Sequence, residues 1–179
     1  VTNIQKPKLL FHIPGDKGKE APGRETGGAQ MVRVCGGGEL PGADPSKFYM
    51  LRTFGESGQQ IYDVTTPESP KLVWRIDGLQ STHKNDWDCK SGVALLVHTG
   101  ASDVWKIQRV THVYDLSNPE KPRKIREVSV PEHMRSATEK GAAALHGPIL
   151  GRNGLDRVFF GYGTNRDGAA VIVDKAKML

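Results

Sequence analysis

IYDVTTPESPKLVWRI (Ile61–Ile76) and VYDLSNPEKPRKIREV (Val113–Val128) are two copies of one segment. Tyr62 and Tyr114, Asp63 and Asp115, Pro67 and Pro119, and Pro70 and Pro122 all keep an offset of 52. IYDV and VYDL are short β-branched and aromatic runs, so each reads as a strand. The aspartate closes the strand, its carboxylate accepting backbone N–H groups in the turn that follows. The two prolines fix φ and forbid a continuing central ladder. KLVWRI and RKIREV then alternate polar and apolar residues, which suits a strand with one solvated edge. Asp63 and Asp115 therefore read as turn staples rather than catalytic acids.

The pattern extends in both directions. VTNIQKPKLLFHI at the start places Val1 on Val64, Pro7 on Pro70, Lys8 on Lys71 and Leu9 on Leu72, at an offset of 63. Near the other end, VIVDKAKML carries Asp174 where the other copies carry Asp63 and Asp115. A period of about 50 to 60 residues points to propeller blades or a comparable array. Between the turns the pattern stays β: MVRVC, KFYMLRTF, VALLVHT and RVFFGYG all read as strands. No amphipathic helix is predicted. Segments 14–29 and 131–144 are Gly-, Pro- and charge-rich insertions. The expectation is an all-β chain, one β-propeller domain over 1–179, with approximate repeats 1–63, 64–115 and 116–174. It supplies about three blades where a propeller closes with about four to eight. The first copy enters mid-repeat, so this reading expects the remainder of the propeller, or another polypeptide, to complete it.

Composition bounds the partners. The 179 residues are 37% hydrophobic and 25% charged, a globular balance, and Gly 21 with Pro 11 favours many turns. The net charge is +5, but Lys and Arg are interspersed with Asp and Glu along the whole length. No basic helix or aromatic-basic stripe appears, so no nucleic-acid partner is expected. No run of 18 apolar residues exists, so no membrane-spanning segment is expected.

The chain resembles the LVIVD-repeat β-propeller proteins. The likeness rests on the strand-Asp-turn segments, on STHKNDWDC, on ALHGPI and on RVFFGYGTNRDGAAVIVD, and covers most of the chain. It implies a propeller of six or seven blades in an exported or surface-associated protein, hence a periplasmic or secreted location. It implies little about chemistry, because that family is largely without an assigned activity. A more distant likeness is to the selenium-binding-protein propellers, some of which are metal-dependent thiol oxidases. None of their functional residues maps onto this chain one by one.

Aligned repeats bring two histidines to comparable positions. Thr82-His83-Lys84-Asn85 and Leu145-His146-Gly147-Pro148 both enter a strand after a double-proline turn; the first copy has Ala29-Gln30-Met31-Val32 there. Residues entering the innermost strands of successive blades converge near a propeller axis. His83, His146 and His12 are thus candidate ligands for Cu, Zn or Fe, with Asp86, Asp88 or Asp167 as further donors. Gln30 weakens the metal case, since an amide is a poor ligand. In the other reading, each imidazole bridges neighbouring blades with its two nitrogens.

Cys35 and Cys89 are 54 residues apart and form no CxxC or zinc-ribbon spacing. Adjacent blades would bring them together as a disulfide if the protein is exported. A thiol nucleophile or ligand, or two inert buried thiols, stay open beside that. The functional expectation is a propeller scaffold or binding module for a partner protein or small ligand. The competing class is a metal-dependent oxidoreductase with histidines at the channel.

Overall fold

The computed structural model describes residues 5–16, 28–138, 144–163 and 168–179. Three antiparallel sheets make up nearly all of its regular secondary structure. The first holds β1 (Val32–Gly36), β2 (Phe48–Phe54), β3 (Gly58–Asp63) and β4 (Lys71–Ile76). The second holds β5 (Asn85–Trp87), β6 (Val93–His98), β7 (Val110–Asp115) and β8 (Arg123–Val128). The third holds β9 (Leu145–Leu150), β10 (Arg157–Tyr162) and β11 (Ala169–Asp174). Strands follow one another across each sheet in chain order. A four-residue helix, α1 (Lys175–Met178), follows β11.

The repeat is visible atom by atom. Asp63 accepts the Thr65 N–H at 2.9 Å. Asp115 accepts the Ser117 N–H at 3.0 Å and the Ser117 hydroxyl at 2.6 Å. Asp174 accepts from the N–H groups of Ala176 and Lys177 at 3.0 and 3.2 Å, and so caps α1. After Asp63 and Asp115 the double-proline turns carry the chain into β4 and β8. In both sheets the register shifts by one residue at the tyrosine, between Ile61 and Tyr62 and between Val113 and Tyr114. Such a bulge bends the strand and increases local twist.

The sheets stack face to face, with the second in the middle. One apolar cluster joins the first sheet to the second through Cys35, Tyr49, Leu51, Ile61, Trp87 and Tyr114, among others. A second joins the second sheet to the third through Leu95, Val97, Val113, Leu150, Val158 and Phe160, among others. β6 is buried along its whole length, as a strand packed on both faces must be. β4 and β8 are outer edges and mix exposed with partly buried residues.

The sheets span 32–76, 85–128 and 145–174, and the turns after Asp63 and Asp115 join the third strand to the fourth within the first and second sheets. In the insertions, a short 3-10 turn forms at Pro131–His133, while 17–27 and 139–143 lie outside the described residues. Gly92 has φ +71° and lies against Ser117: a Cβ there would fall 2.5 Å from the Ser117 Cα.

Candidate functional site

The inner strands β1, β5 and β9 lie side by side, one from each sheet. Asp86 of β5 sits between the other two and is only 1% exposed. Its Oδ1 accepts Arg33 Nε of β1 at 2.6 Å and Arg152 Nη2, just past β9, at 2.8 Å. Its Oδ2 accepts the Leu150 backbone N–H of β9 at 2.7 Å. The Trp87 N–H also donates to Oδ1, at 3.0 Å. One carboxylate thus ties all three sheets together. Charge-assisted bonds of this kind are about twice as strong as neutral ones, and burial raises the cost of losing them.

A cleft of about 900 Å³ opens where the inner strands end. Arg33, Trp87, Cys89, Lys90, Arg152 and Lys175 contribute to its lining. Cys35 and Cys89 form a disulfide, with Cα atoms 5.4 Å apart, and it clamps β1 to the segment after β5. Asp88 accepts from Lys175 Nζ at 2.6 Å and from the Ser91 hydroxyl at 2.6 Å. Burial works to raise the Asp88 pKa, but the Lys175 and Ser91 hydrogen bonds outweigh it and hold the pKa below the ordinary value. Trp87 is almost fully buried, and its Nε1–H has no acceptor among the described residues.

His83 and His146 do meet. His83 Nε2 lies 3.2 Å from His146 Nδ1, and the rings pack edge to face with centroids 4.8 Å apart. Burial, then the charge of Arg109, then His146, push the His83 pKa down to about 4. His83 is therefore neutral at physiological pH. His146 is exposed, and His83 Nδ1 is buried without a hydrogen-bond partner among the described residues.

The other candidates go elsewhere. His12 is exposed in the segment before β1. Among the described residues no group of three or more His, Cys, Asp or Glu could hold a metal ion, so His12 does not complete a triad. Asp86 and Asp88 are committed to Arg33, Arg152 and Lys175 rather than to the histidines. Asp167 lies outside the described residues.

Sequence reasoning missed two clusters. The Arg33–Asp86–Arg152 hub left one signal: a charge inside each of two inner strands, MVRVC and NDWDC. The second cluster is His98 of β6 stacked on His112 of β7, with centroids 3.3 Å apart and planes 14° from parallel. Both rings approach the Thr99 carbonyl, His98 Nδ1 at 3.0 Å and His112 Nε2 at 3.2 Å. A carbonyl only accepts, so those nitrogens carry the protons. Burial pushes His98 down to about 4 and, with the neighbouring His98, His112 down to about 3. Glu127 nearby takes the Trp105 indole N–H at 2.7 Å and Lys124 Nζ at 2.7 Å. Neither histidine lines the cleft.

Comparison with known proteins adds no name to this geometry: no family model matches the chain, and no curated protein matches it.

Proposed function

We propose that the chain is part of a β-propeller of the LVIVD-repeat kind, serving as a binding scaffold whose inner-strand cleft receives a partner segment or small polar ligand. The observation that carries this reading is the cleft of about 900 Å³ at the ends of three inner strands. Its volume falls in the range of ligand sites, and such sites combine apolar walls with a few placed polar groups. Here the cations Arg33, Lys90, Arg152 and Lys175 stand among the carboxylates Glu39, Asp88 and Asp156, with Arg33 and Arg152 paired to Asp86 and Lys175 to Asp88. A ligand carboxylate suits Lys90 and the N–H groups that the partly exposed Arg33 and Arg152 side chains keep beyond Asp86. The disulfide supports export to an oxidising compartment, periplasmic or extracellular. No helix among the described residues is long and apolar enough to cross a membrane.

The test is a titration of purified chain with a panel of small carboxylates and acidic peptides, read by Trp fluorescence and thermal shift. Binding that weakens about tenfold or more in Lys90→Glu supports the reading. A panel without any saturable response sinks it.

The 3.2 Å between His83 Nε2 and His146 Nδ1 favours a second reading, the metal-dependent oxidoreductase. Two nitrogens on one tetrahedral Zn stand about 3.3 Å apart. Catalytic sites take about three protein ligands, and the described residues supply two here. These two donors do not make a complete site, and no chemical step is derived through one. Stoichiometric Cu, Zn or Fe in native protein, lost in the His83→Ala, His146→Ala double variant, would revive this reading.

A further inference from the structure

The two halves of the Cys35–Cys89 disulfide stand in different surroundings. Cys35 lies in β1, opposite Tyr49 of β2, and is 1% exposed inside the apolar cluster between the first and second sheets. Cys89 is only partly buried, on the turn between β5 and β6, and it lines the cleft, as Cys35 does not. A thiol in the cleft therefore meets one end of the bond and not the other. Disulfides exchange by attack of a thiolate on one sulfur, so the sulfur that is open to attack decides the course of the reaction.

The fold also keeps the two cysteines opposed by means other than the bond. Cys35 is held in the β1–β2 ladder. Arg33 of the same strand bonds to Asp86 of β5 at 2.6 Å. The Cys89 turn is closed by the Gly92 N–H on the Asp88 carbonyl at 2.8 Å, and the Leu116 N–H holds the Gly92 carbonyl at 2.8 Å. The Asp88 carboxylate ties the same turn to Ser91 and Lys175. Cutting the disulfide leaves each cysteine on an anchored segment, so the folded chain keeps Cys35 beside Cys89. A reachable sulfur with a second one poised behind it to resolve is the arrangement of an exchanging pair.

Charge around Cys89 selects what approaches. Asp88, on one side of it, is spent on Lys175 and Ser91. Lys90, on the other side, is exposed on the cleft wall. Cations beside a sulfur steady the thiolate that exchange releases there. Glu39 and Asp156 line the same cleft. A peptide thiol fits both signs, with carboxylates for Lys90 and the two arginines and an ammonium for the acidic groups.

We propose that the Cys35–Cys89 pair exchanges with small peptide thiols that seat in the cleft by their carboxylates, with Cys89 as the attacked sulfur and Cys35 as the resolving one. This rests on the reading of the cleft as a carboxylate site. A substrate thiolate attacks Cys89 Sγ; the substrate–Cys89 bond forms as the Cys89–Cys35 bond breaks, and Cys35 leaves with the electron pair. A second substrate thiolate attacks the substrate sulfur of this mixed disulfide, and Cys89 leaves as the thiolate beside Lys90. Two thiols have become one disulfide, two electrons have passed to the chain, and the protons the thiols gave up end on Cys35 and Cys89. Each step reverses, so a substrate disulfide restores the protein's bond.

The test mixes the folded, oxidised chain with glutathione, an anionic tripeptide thiol, or with cysteamine, a cationic one, at equal thiolate concentration. Cysteines are trapped with iodoacetamide and located by peptide mass mapping. Glutathione should open the bond at least about fivefold faster than cysteamine, and Lys90→Glu should abolish that preference. The mixed disulfide should map to Cys89. In Cys35→Ser, Cys89 should take a glutathionyl group from glutathione disulfide; in Cys89→Ser, Cys35 should take none until urea unfolds the chain. A bond that opens only in urea, or a mixed disulfide on Cys35, overturns the proposal, and the wild-type chain decides this alone if the cysteine variants do not fold. Equal rates with the two thiols overturn the substrate class. Saturable carboxylate binding beside an inert bond overturns the exchange and spares the cleft, whereas exchange at Cys89 with no carboxylate response and no charge preference overturns the cleft as the substrate's seat.

Discussion

Replacing Asp86 by Ala removes a side chain that bonds to all three sheets. Four donors lose their acceptor: the guanidiniums of Arg33 and Arg152, and the backbone N–H groups of Leu150 and Trp87. The carboxylate is 1% exposed, so solvent does not replace it readily. Breaking a buried pair by deleting one partner costs about 3–5 kcal/mol. For a chain of this size each kcal/mol shifts Tm by about 2–4 °C, so Asp86→Ala is expected to lower Tm by about 6 to 20 °C. Arg152→Met is the comparison. The Arg152 side chain is half exposed, and its loss alone costs about 1 kcal/mol or less. In the Asp86→Ala background, Arg152→Met should cost nothing or restore stability, because it removes a cation with no counter-charge. Urea unfolding followed by Trp fluorescence reads all four corners of this cycle. A loss below about 1 kcal/mol for Asp86→Ala, or additivity of the two substitutions, refutes the hub.

Two further outcomes follow from features already described. Cleaving the disulfide, by a phosphine reductant or in Cys35→Ser, Cys89→Ser, should cost about 4 kcal/mol from a loop of 54 residues, seen as a lower urea midpoint; an unchanged midpoint contradicts the clamp. His83 and His98 are both held near 4 in the folded chain, below the ordinary 6.5, so the unfolded chain binds more protons between those values. Stability is fully present above about pH 6.5 and falls toward pH 4, on the order of 2 kcal/mol per histidine by pH 5. Urea midpoints across that window should fall less steeply in His98→Gln, since His83 still contributes, and a flat wild-type profile would count against the buried neutral rings.

The repeat was legible because its physics is local. A strand, an aspartate that staples the next turn and two prolines that end the ladder are all consequences of neighbouring residues, and Asp63, Asp115 and Asp174 play that part in the structure. Counting sheets from it was harder. The repeated turn lies inside a sheet, between the third and fourth strands of the first two sheets, so the period of the sequence runs out of phase with the sheets. β5 and β9 also passed as strand entrances, because NDW and LHGPIL carry a polar trio and a Gly-Pro step that local preference assigns to loops. Tertiary packing overrides that preference at the centre of the stack. The meeting of His83 with His146 was legible, since equivalent positions in successive repeats become neighbours in space. The Asp86 hub was not, because its partners Arg33 and Arg152 occupy different positions in their repeats.

The disulfide makes the stack unequal. It fastens the first sheet to the second, while the third is held to the second by non-covalent contacts, among them the apolar cluster, the Asp86 carboxylate, the histidine pair and the Lys175–Asp88 bridge. Under oxidising conditions the molecule is a book clasped on one side, and its loose leaf opens first. Amide hydrogens of β10 and β11 should then exchange ahead of those in β2 and β3. Reduction frees the other cover. The order in which the sheets open is thus written by the redox state of the surroundings, through a bond that lies at the far side of the middle sheet from the leaf whose precedence it decides.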